Sequence, residues 1–441
     1  MKQVSSFDPI GSEPQTSPKR ELPKFKMALR ALHYRNYRLF FGGQLVSLVG
    51  TWMQMVAQSW LVYRLTGSSL MLGSIGFASQ IPVFLLAFVG GTVADRYSRH
   101  RIVIGTQSAS MILALVLAVV TLSDVVRVEH IFVLSALLGT VNAFDMPARQ
   151  AFIVELVDRE DLINAIALNS SVFNGARVIG PAVAGMLVAS IGEGWCFFAN
   201  GISFIAVIAG LLLMRIKPQR GDVGGRSSAL SNVLEGFRFV RGARPIRALL
   251  FLLGLVSVMG MPYSVLMPIF ADKILHGGAR GLGILMGATG FGALAGSMFI
   301  AARSGTGGLG KLIGYACAGF GTSLALFSIS QYFWLSVLFL FPAGFSLMVL
   351  MASTNTLIQT MVPDRLRGRV MAMHVMVFMG MAPFGSLLSG AIAEHAGAPV
   401  TIFLGAASCL IGSGVFLWRL PGLQLTPYSY VRTHMDDAES M

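Results

Sequence analysis

Three ionisable residues, Arg177, Asp145 and His374, stand inside long apolar stretches of the chain. Arg177 lies about 12 residues into the run 165–190, hence roughly 18 Å along a helix. A charge at that depth in a bilayer costs several kcal/mol unless it faces water or a partner. We interpret Arg177 as a contact for an anionic substrate group or a titrating carboxylate; the alternative is a structural ion pair. Gly180 and Pro181 follow, and because proline cannot donate to the carbonyl of Arg177, they predict a kink beside the charge.

Asp145 and His374 are the other candidates for proton chemistry. Asp145 lies near one end of the run 129–148. It either carries a coupling proton or forms an ion pair with Arg99 or Arg149, and we favour the pair. His374 titrates in the neutral range, although a lone histidine is more often structural. Because no Asp or Glu falls near the centre of an apolar run, the sequence does not demonstrate proton coupling.

Other chemistries find no support in the residue patterns. The segment from Gly305 to Lys311 resembles a phosphate-binding loop, but Leu312 stands where a hydroxyl would hold Mg²⁺. The three cysteines have no metal-ligand spacing, and we find no nucleophile motif or paired carboxylates. We therefore predict that the protein is not an enzyme and uses no cofactor and no metal.

The elements that position these residues are membrane-spanning helices. Only 12% of the residues are charged, against roughly 25% in soluble domains, and a spanning helix needs about 20 mostly apolar residues. Twelve runs meet this requirement: 38–63, 70–94, 102–122, 129–148, 165–190, 194–214, 247–271, 281–302, 310–329, 332–354, 370–393 and 399–419. The chain is thus predicted to be an all-α membrane protein with a basic tail (1–36), a first six-helix bundle (37–214), a central connection (215–246), a second bundle (247–419) and a second tail (420–441).

The basic residues concentrate in loops on one side of the predicted membrane. When both termini are placed in the cytoplasm, most Lys and Arg fall on the cytoplasmic side, as the positive-inside rule requires. This distribution explains the net charge of +13 without nucleic acid and favours contact with anionic membrane lipids. We expect a multi-pass protein of the inner (plasma) membrane. In the central connection, apolar residues recur at helical spacing among arginines and predict an amphipathic helix on the membrane surface: Leu230, Val233, Leu234 and Phe237.

The two halves of the chain repeat a glycine pattern. One fixed offset relates two sets of glycines, Gly175, Gly180, Gly185 and Gly192 around the fifth run and Gly380, Gly385, Gly390 and Gly397 around the eleventh. Such a repeat indicates two pseudo-symmetric six-helix bundles related by an axis along the membrane normal. A binding site is then expected near the mid-plane between the bundles, with alternating access by rocking.

The loop after the second run carries a motif, which we call the latch motif: Gly91, Asp95, Arg96, Arg99 and Arg101. It resembles the signature G-x-x-x-D-R-x-G-R-R of the major facilitator superfamily, with departures at Ser98 and His100. Further segments resemble the branch known as the enterobactin exporter, transmembrane secretion effector or third drug–proton antiporter group: 39–44, 50–54, 145–152, 164–169 and 177–181.

The resemblance implies roles for particular residues. In the superfamily, the aspartate matched by Asp95 is thought to hold the two halves together in the outward-facing state, near the eleventh helix; the alternative is that the arginines merely fix topology. The superfamily fold also implies that helices one, four, seven and ten line the cavity. Polar residues in those runs either face this cavity or form helix–helix hydrogen bonds: Gln54, Gln58, Asn142, Tyr263, Thr354 and Asn355.

These observations predict a secondary active transporter, and the resemblance favours a proton-coupled exporter of small organic compounds of the drug or siderophore type. Its expected partners are a small-molecule substrate, protons and membrane lipids, and the superfamily implies a monomer. Two alternatives stay open. One is a transporter of another solute, such as a lysolipid or an imported metabolite, and the other is a membrane sensor or scaffold with the same fold.

Overall fold

The computed structural model describes residues 29–215, 237–303 and 305–423, and within these ranges it contains helices and no strand. Twelve helices are long and apolar enough to cross a membrane, which confirms the prediction of an all-α protein with twelve spans. In chain order they are α1 (Arg35–Thr66), α2 (Ser69–Arg96), α3 (Arg99–Leu122), α4 (Val128–Glu155), α5 (Leu162–Ile191), α6 (Glu193–Leu212), α7 (Arg244–Ile274), α8 (Gly278–Ala301), α9 (Leu309–Ile329), α10 (Phe333–Met361), α11 (Asp364–Ala396) and α12 (Ala398–Arg419).

Parts of the predicted organisation lie outside the described residues. These are most of the two tails and the stretch 216–236 of the central connection, including Leu230, Val233 and Leu234. Phe237 belongs to a helical stretch described from 237 to 242, just before α7 begins.

The helices pack as two equivalent bundles. In the first, α2 packs on α4, α3 on α4 and α6, and α1 on α5 and α6. The second repeats every pair six helices later, with α8 on α10, α9 on α10 and α12, and α7 on α11 and α12. The two most extensive contacts between the bundles are α2 with α11 and α5 with α8, and the six-helix offset that relates the bundles turns each of these contacts into the other. The predicted pair of pseudo-symmetric six-helix bundles is therefore confirmed.

Short loops make neighbouring helices antiparallel, so the bundle has two distinct ends. We call the terminal end the one where α1 begins at Arg35 and α12 ends at Arg419. The opposite end, which carries the loop between Thr66 and Ser69, is the distal end. Odd-numbered helices run from the terminal to the distal end, and even-numbered helices return.

Close contact between the bundles depends on glycine in the distal half of the helices. A Cβ placed on Gly73 of α2 would stand 2.9 Å from the Cα of Gly390 on α11. In the equivalent contact, a Cβ on Gly185 of α5 would stand 2.9 Å from the Cα of Gly283 on α8. Small residues let helix backbones approach each other where no water drives association, so these glycines fix where the bundles meet.

Toward the terminal end the same helix faces are exposed. On α2, Phe84 still packs on Phe384, but Phe88, one turn later, is exposed. On α5, Ser170 and Ile163, which lie two and four turns before Arg177, are also exposed. The bundles therefore meet in their distal half and separate toward the terminal end.

Helix α7 is interrupted, in contrast to the regular helix predicted for 247–271. It is α-helical over Arg244–Leu255, π-helical over Val256–Gly260, 3₁₀-helical over Met261–Ser264 and π-helical again over Phe270–Ile274. Pro262 and Pro268 lie within the irregular stretch, and proline lacks the N–H that a regular helix needs. The interruption places Tyr263 in the middle of the span.

Candidate functional site

Arg177 lies halfway along α5 and contacts the aromatic face of α1. Its guanidinium carbon is 5.7 Å from the ring centroid of Trp52, within the range of a cation–π interaction. Phe173, one turn earlier on α5, meets the same indole edge-to-face at 5.6 Å. Gly180 allows this approach, because a Cβ there would stand 2.5 Å from the Cβ of Trp52. Glycine on α5 thus brings the indole beside the charge.

The same arginine lies at the boundary with the second bundle. Pro181 removes the helical donor to the Arg177 carbonyl, and α8 fills this space, since a Cβ on Gly290 would stand 2.8 Å from that oxygen. The buried hydroxyl of Tyr263 on α7 lies beside Thr289 and within electrostatic range of Arg177. The guanidinium of Arg177 therefore contacts α1, the backbone of Arg177 meets α8 of the other bundle, and Tyr263 of α7 lies within electrostatic range.

Within the described residues, Arg177 forms no ion pair with an Asp or Glu. Its charge is met by an indole face and a tyrosine. Several other helix carboxylates have partners elsewhere, among them Asp145 with Arg149, Glu193 with Arg64, Asp272 with Tyr63 and Glu394 with Ser68.

Asp145 is buried in a polar cluster of its own near the terminal end. Its carboxylate is 3.2 Å from the Nε of Arg149 and accepts hydrogen bonds from Thr106 at 2.7 Å and Gln107 at 3.0 Å. Arg149 also donates to Gln44 at 3.2 Å. Asp145 therefore pairs with Arg149. The alternative partner, Arg99, is 2.8 Å from Glu155 instead and ties α3 to α4.

The latch motif stands apart from the second bundle in this conformation. Asp95 is exposed and, among the described residues, has no hydrogen-bond or ion-pair partner. A Cβ on Gly91 would meet nothing within 4 Å. Arg96 and Arg101 are exposed as well. The motif thus lines the open terminal end, where the bundles are separated.

The six polar residues expected around a cavity have different environments. Gln54 is buried and accepts a hydrogen bond from Asn200 of α6 at 2.6 Å, and Gln58 donates to Ser135 of α4 at 2.9 Å. These two glutamines bind neighbouring helices of the first bundle. Thr354 and Tyr263 are buried, whereas Asn142 and Asn355 are half-buried. The residues are therefore distributed along α1, α4, α7 and α10 and do not form a single polar cluster.

His374 is buried on α11 with both ring nitrogens unpartnered among the described residues. Leaving a buried donor without a hydrogen bond costs about 1–3 kcal/mol. The adjacent turn packs against α7, where Ser257 donates to the Phe378 carbonyl and Gly254 lies against Val377. His374 therefore occupies an energetically costly position on α11, one turn from the residues that pack against the interrupted helix.

A set of polar contacts that sequence reasoning missed joins the bundles at the distal end. We call it the distal clamp: Tyr63, Ser68, Leu70, Asp272 and Glu394. The Tyr63 hydroxyl donates to Asp272 at 2.8 Å, and Lys273 lies over the same ring at 5.9 Å. Glu394 accepts from the Ser68 hydroxyl at 3.0 Å and from the Leu70 amide at 3.1 Å. A carboxylate of α11 thus binds the amide-rich start of α2, where negative charge is favoured.

At the terminal end, a group of polar contacts joins two helices of the first bundle. The Tyr34 hydroxyl shares its single proton between the carboxylates of Asp161 at 2.9 Å and Asp158 at 3.0 Å, and the hydrogen bond to Asp161 is the main cause that raises the pKa of Tyr34 to about 12. Arg30 is 2.9 Å from the same Asp161. These contacts tie the start of α1 to the start of α5.

Comparison with known proteins agrees with this architecture. The family model described as transmembrane secretion effector matches residues 27–431. The chain is 26% identical over 388 residues to the staphyloferrin A transporter of Staphylococcus aureus, covering 86% of this chain and 95% of that protein. It is 28% identical over 398 residues to the multidrug efflux pump Tap of Mycobacterium tuberculosis, covering 86% and 92%. The crystal structure of the nucleoside transporter NupG superimposes with a TM-score of 0.68 at 13% identity, covering 89% of this chain and 99% of that one, which shows the fold. The chain belongs to the transmembrane secretion effector family of major facilitator transporters.

Proposed function

We propose that this protein exports small organic compounds by alternating access and couples export to the proton gradient. One observation carries the proposal. The two bundles join in their distal half and separate toward the terminal end, and Arg177, Trp52 and Tyr263 lie where they meet. A site near mid-depth that opens toward one side is the arrangement that rocking bundles require. The relative named as a multidrug efflux pump supports export as the direction of transport.

The distribution of charge supports a cytoplasmic terminal end. The latch-motif arginines and the start of α1 all lie there, and short loops rich in Lys and Arg stay in the cytoplasm. With this orientation in the inner membrane, the described conformation opens inward and takes substrate from the cytoplasm. Release outside then requires the distal clamp to break and the terminal end to close, which brings Asp95 toward α11.

The described contacts rank the candidates for proton coupling. Asp145 already has an arginine and two hydrogen-bond donors, whereas His374 has no partner among the described residues. A proton on His374 is also a change of charge beside α7, whose irregular backbone is suited to move. We therefore infer that His374 is the first residue to test for coupling and that Asp145 is a structural pair.

Dye efflux from cells lacking their own pumps tests the proposed function. We expect dye loss that depends on the protein and stops when a protonophore collapses the proton gradient. Arg177→Ala, matched for the amount of protein in the membrane, should abolish efflux because the site loses its cation. Efflux that persists with the protonophore would contradict proton coupling. Efflux that persists in the Arg177→Ala variant would remove Arg177 from the site, and no efflux from well-inserted protein across a dye panel would favour another solute or a sensor role.

A further inference from the structure

We propose that the central site selects anionic, ring-bearing substrates, with Arg177 binding the anionic group and Trp52 and Phe173 bounding the ring. The inference deepens the proposed function and rests on it, since it assumes that the site between the bundles is where the transported compound binds. It commits to the chemical class of the cargo, an aromatic carboxylate, sulfonate, phosphate or phenolate.

Charge balance favours an anionic ligand. A cation at the centre of a spanning helix is energetically costly unless it has a partner. Contact with an indole face offsets only part of that cost, and in the described residues Arg177 gains no ion pair to offset the rest. An anionic ligand supplies the missing counter-charge at the moment it binds.

The geometry of the guanidinium suits an oxygen-bearing anion. Its plane carries five N–H donors, a fork that matches two oxygens of a carboxylate, sulfonate or phosphate. The contact with Trp52 is to a ring face, which accepts no conventional hydrogen bond, and Arg177 makes no hydrogen bond to another described side chain. The donors are thus available to a ligand, while the indole restricts the orientation of the fork.

The surface beside the charge is aromatic. Phe173 packs edge-to-face on Trp52 yet is 45% exposed. Its ring lies one turn from Arg177 toward the terminal end and therefore borders the guanidinium on the open side. Aromatic ligands gain from offset or edge contacts with such rings, which explains the preference for a ring next to the anionic group.

The positive charge of Arg177 disfavours cationic ligands. A ligand cation in the same place would be repelled by the guanidinium, because two like charges at contact distance repel strongly in a partly wet site. No carboxylate of the described residues pairs with Arg177 to cancel that repulsion. A cationic compound of the same shape should therefore bind more weakly by at least tenfold.

The test is a binding measurement on purified protein, without any gradient, using two dyes that share a xanthene ring. Carboxyfluorescein is anionic and rhodamine 123 is cationic, and fluorescence anisotropy reports the affinity of each. We expect wild-type protein to bind carboxyfluorescein at least tenfold more tightly. Arg177→Gln should abolish this preference and Arg177→Lys should keep part of it. Arg280→Gln, which changes an exposed arginine at the distal end of α8, should keep all of it.

Two outcomes overturn the inference. One is wild-type protein that binds both dyes equally or fails to bind carboxyfluorescein. The other is an Arg177→Gln variant that melts at the wild-type temperature and retains the anion preference. Because binding is measured without transport, loss of proton-coupled efflux in cells alongside intact anion selectivity would contradict the proposed function alone.

Discussion

At the scale of single residues, Arg177 and Asp145 differ in their partners: Arg177 has no ion pair among the described residues, whereas Asp145 pairs with Arg149. The positions of Arg177 and Asp145 in apolar runs are readable from the sequence. Their partners are not, because Trp52 lies on a different helix from Arg177 and is brought close only by the glycine packing of α5. Asp145 lies one turn from Arg149 on one helix, so this pair is the local contact that sequence reasoning reached.

The Asp145 cluster makes a prediction about stability. In Asp145→Asn, Arg149 keeps its contact with Gln44 but loses its carboxylate, so the variant should be destabilised by about 1–3 kcal/mol and melt earlier in detergent. The double variant Asp145→Asn with Arg149→Gln should recover part of the loss, because the unpaired cation is gone. Thermal unfolding followed by tryptophan fluorescence checks both. A single variant as stable as wild type would show that the pair contributes nothing.

At the scale of helices, hydropathy and the glycine offset predict the twelve spans and their pairing. The interruption of α7 had a visible signal in Pro262 and Pro268 that a hydropathy count passes over. The distal clamp had no such signal in the sequence. Ser68 and Glu394 are far apart in the chain, and only the packing of α2 on α11 brings them together. Contacts between the bundles belong to one conformation, and a single sequence does not specify which.

The distal clamp predicts how a charge holds the bundles closed. In Glu394→Gln the amide binds the start of α2 more weakly than the carboxylate does, so the distal end should open more often. Ser386→Cys reports this opening, since Ser386 is buried between the bundles beside Gly73 and Gly76. We expect maleimide to label the introduced cysteine several-fold faster when Glu394 is changed.

The matched control is Glu129→Gln, which removes an exposed carboxylate at the same end of the first bundle. It should leave the labelling rate of the Ser386→Cys reporter unchanged. The native cysteines are buried and set a low background. Equal labelling in the Glu394→Gln variant and its parent would mean that glycine packing alone keeps the distal end closed.

At the scale of the whole molecule, Asp95 of the latch motif and Glu394 of the distal clamp belong to opposite ends of the interface between α2 and α11. The clamp is engaged here and Asp95 is exposed. Under alternating access the situation reverses, so Asp95 should act only in the conformation closed at the terminal end.

For this reason Asp95→Asn should slow turnover without weakening substrate binding to the conformation described here. Efflux rates measured over a range of substrate concentrations should show a lower maximum, while the dye affinity of purified protein stays at the wild-type value. Arg101→Gln, at an exposed position of the same motif, tests whether any loss of charge there has the same effect. Wild-type turnover in Asp95→Asn would assign the motif to topology alone.

Under the proposed alternating access, the unpaired guanidinium at mid-depth should also make the carrier sensitive to voltage. Rocking would move the opening from one side of Arg177 to the other, so its charge would pass from one electrical potential to the other although the side chain hardly moves. Electrical work across a membrane amounts to about 2.3 kcal/mol per elementary charge per 100 mV. With the proposed orientation, an interior-negative voltage would draw the empty, positively charged site back to the inward-open state. A site neutralised by a bound anion would move outward without that cost. The cell's resting voltage should then assist the return of the empty carrier after each release, in addition to the proposed proton coupling.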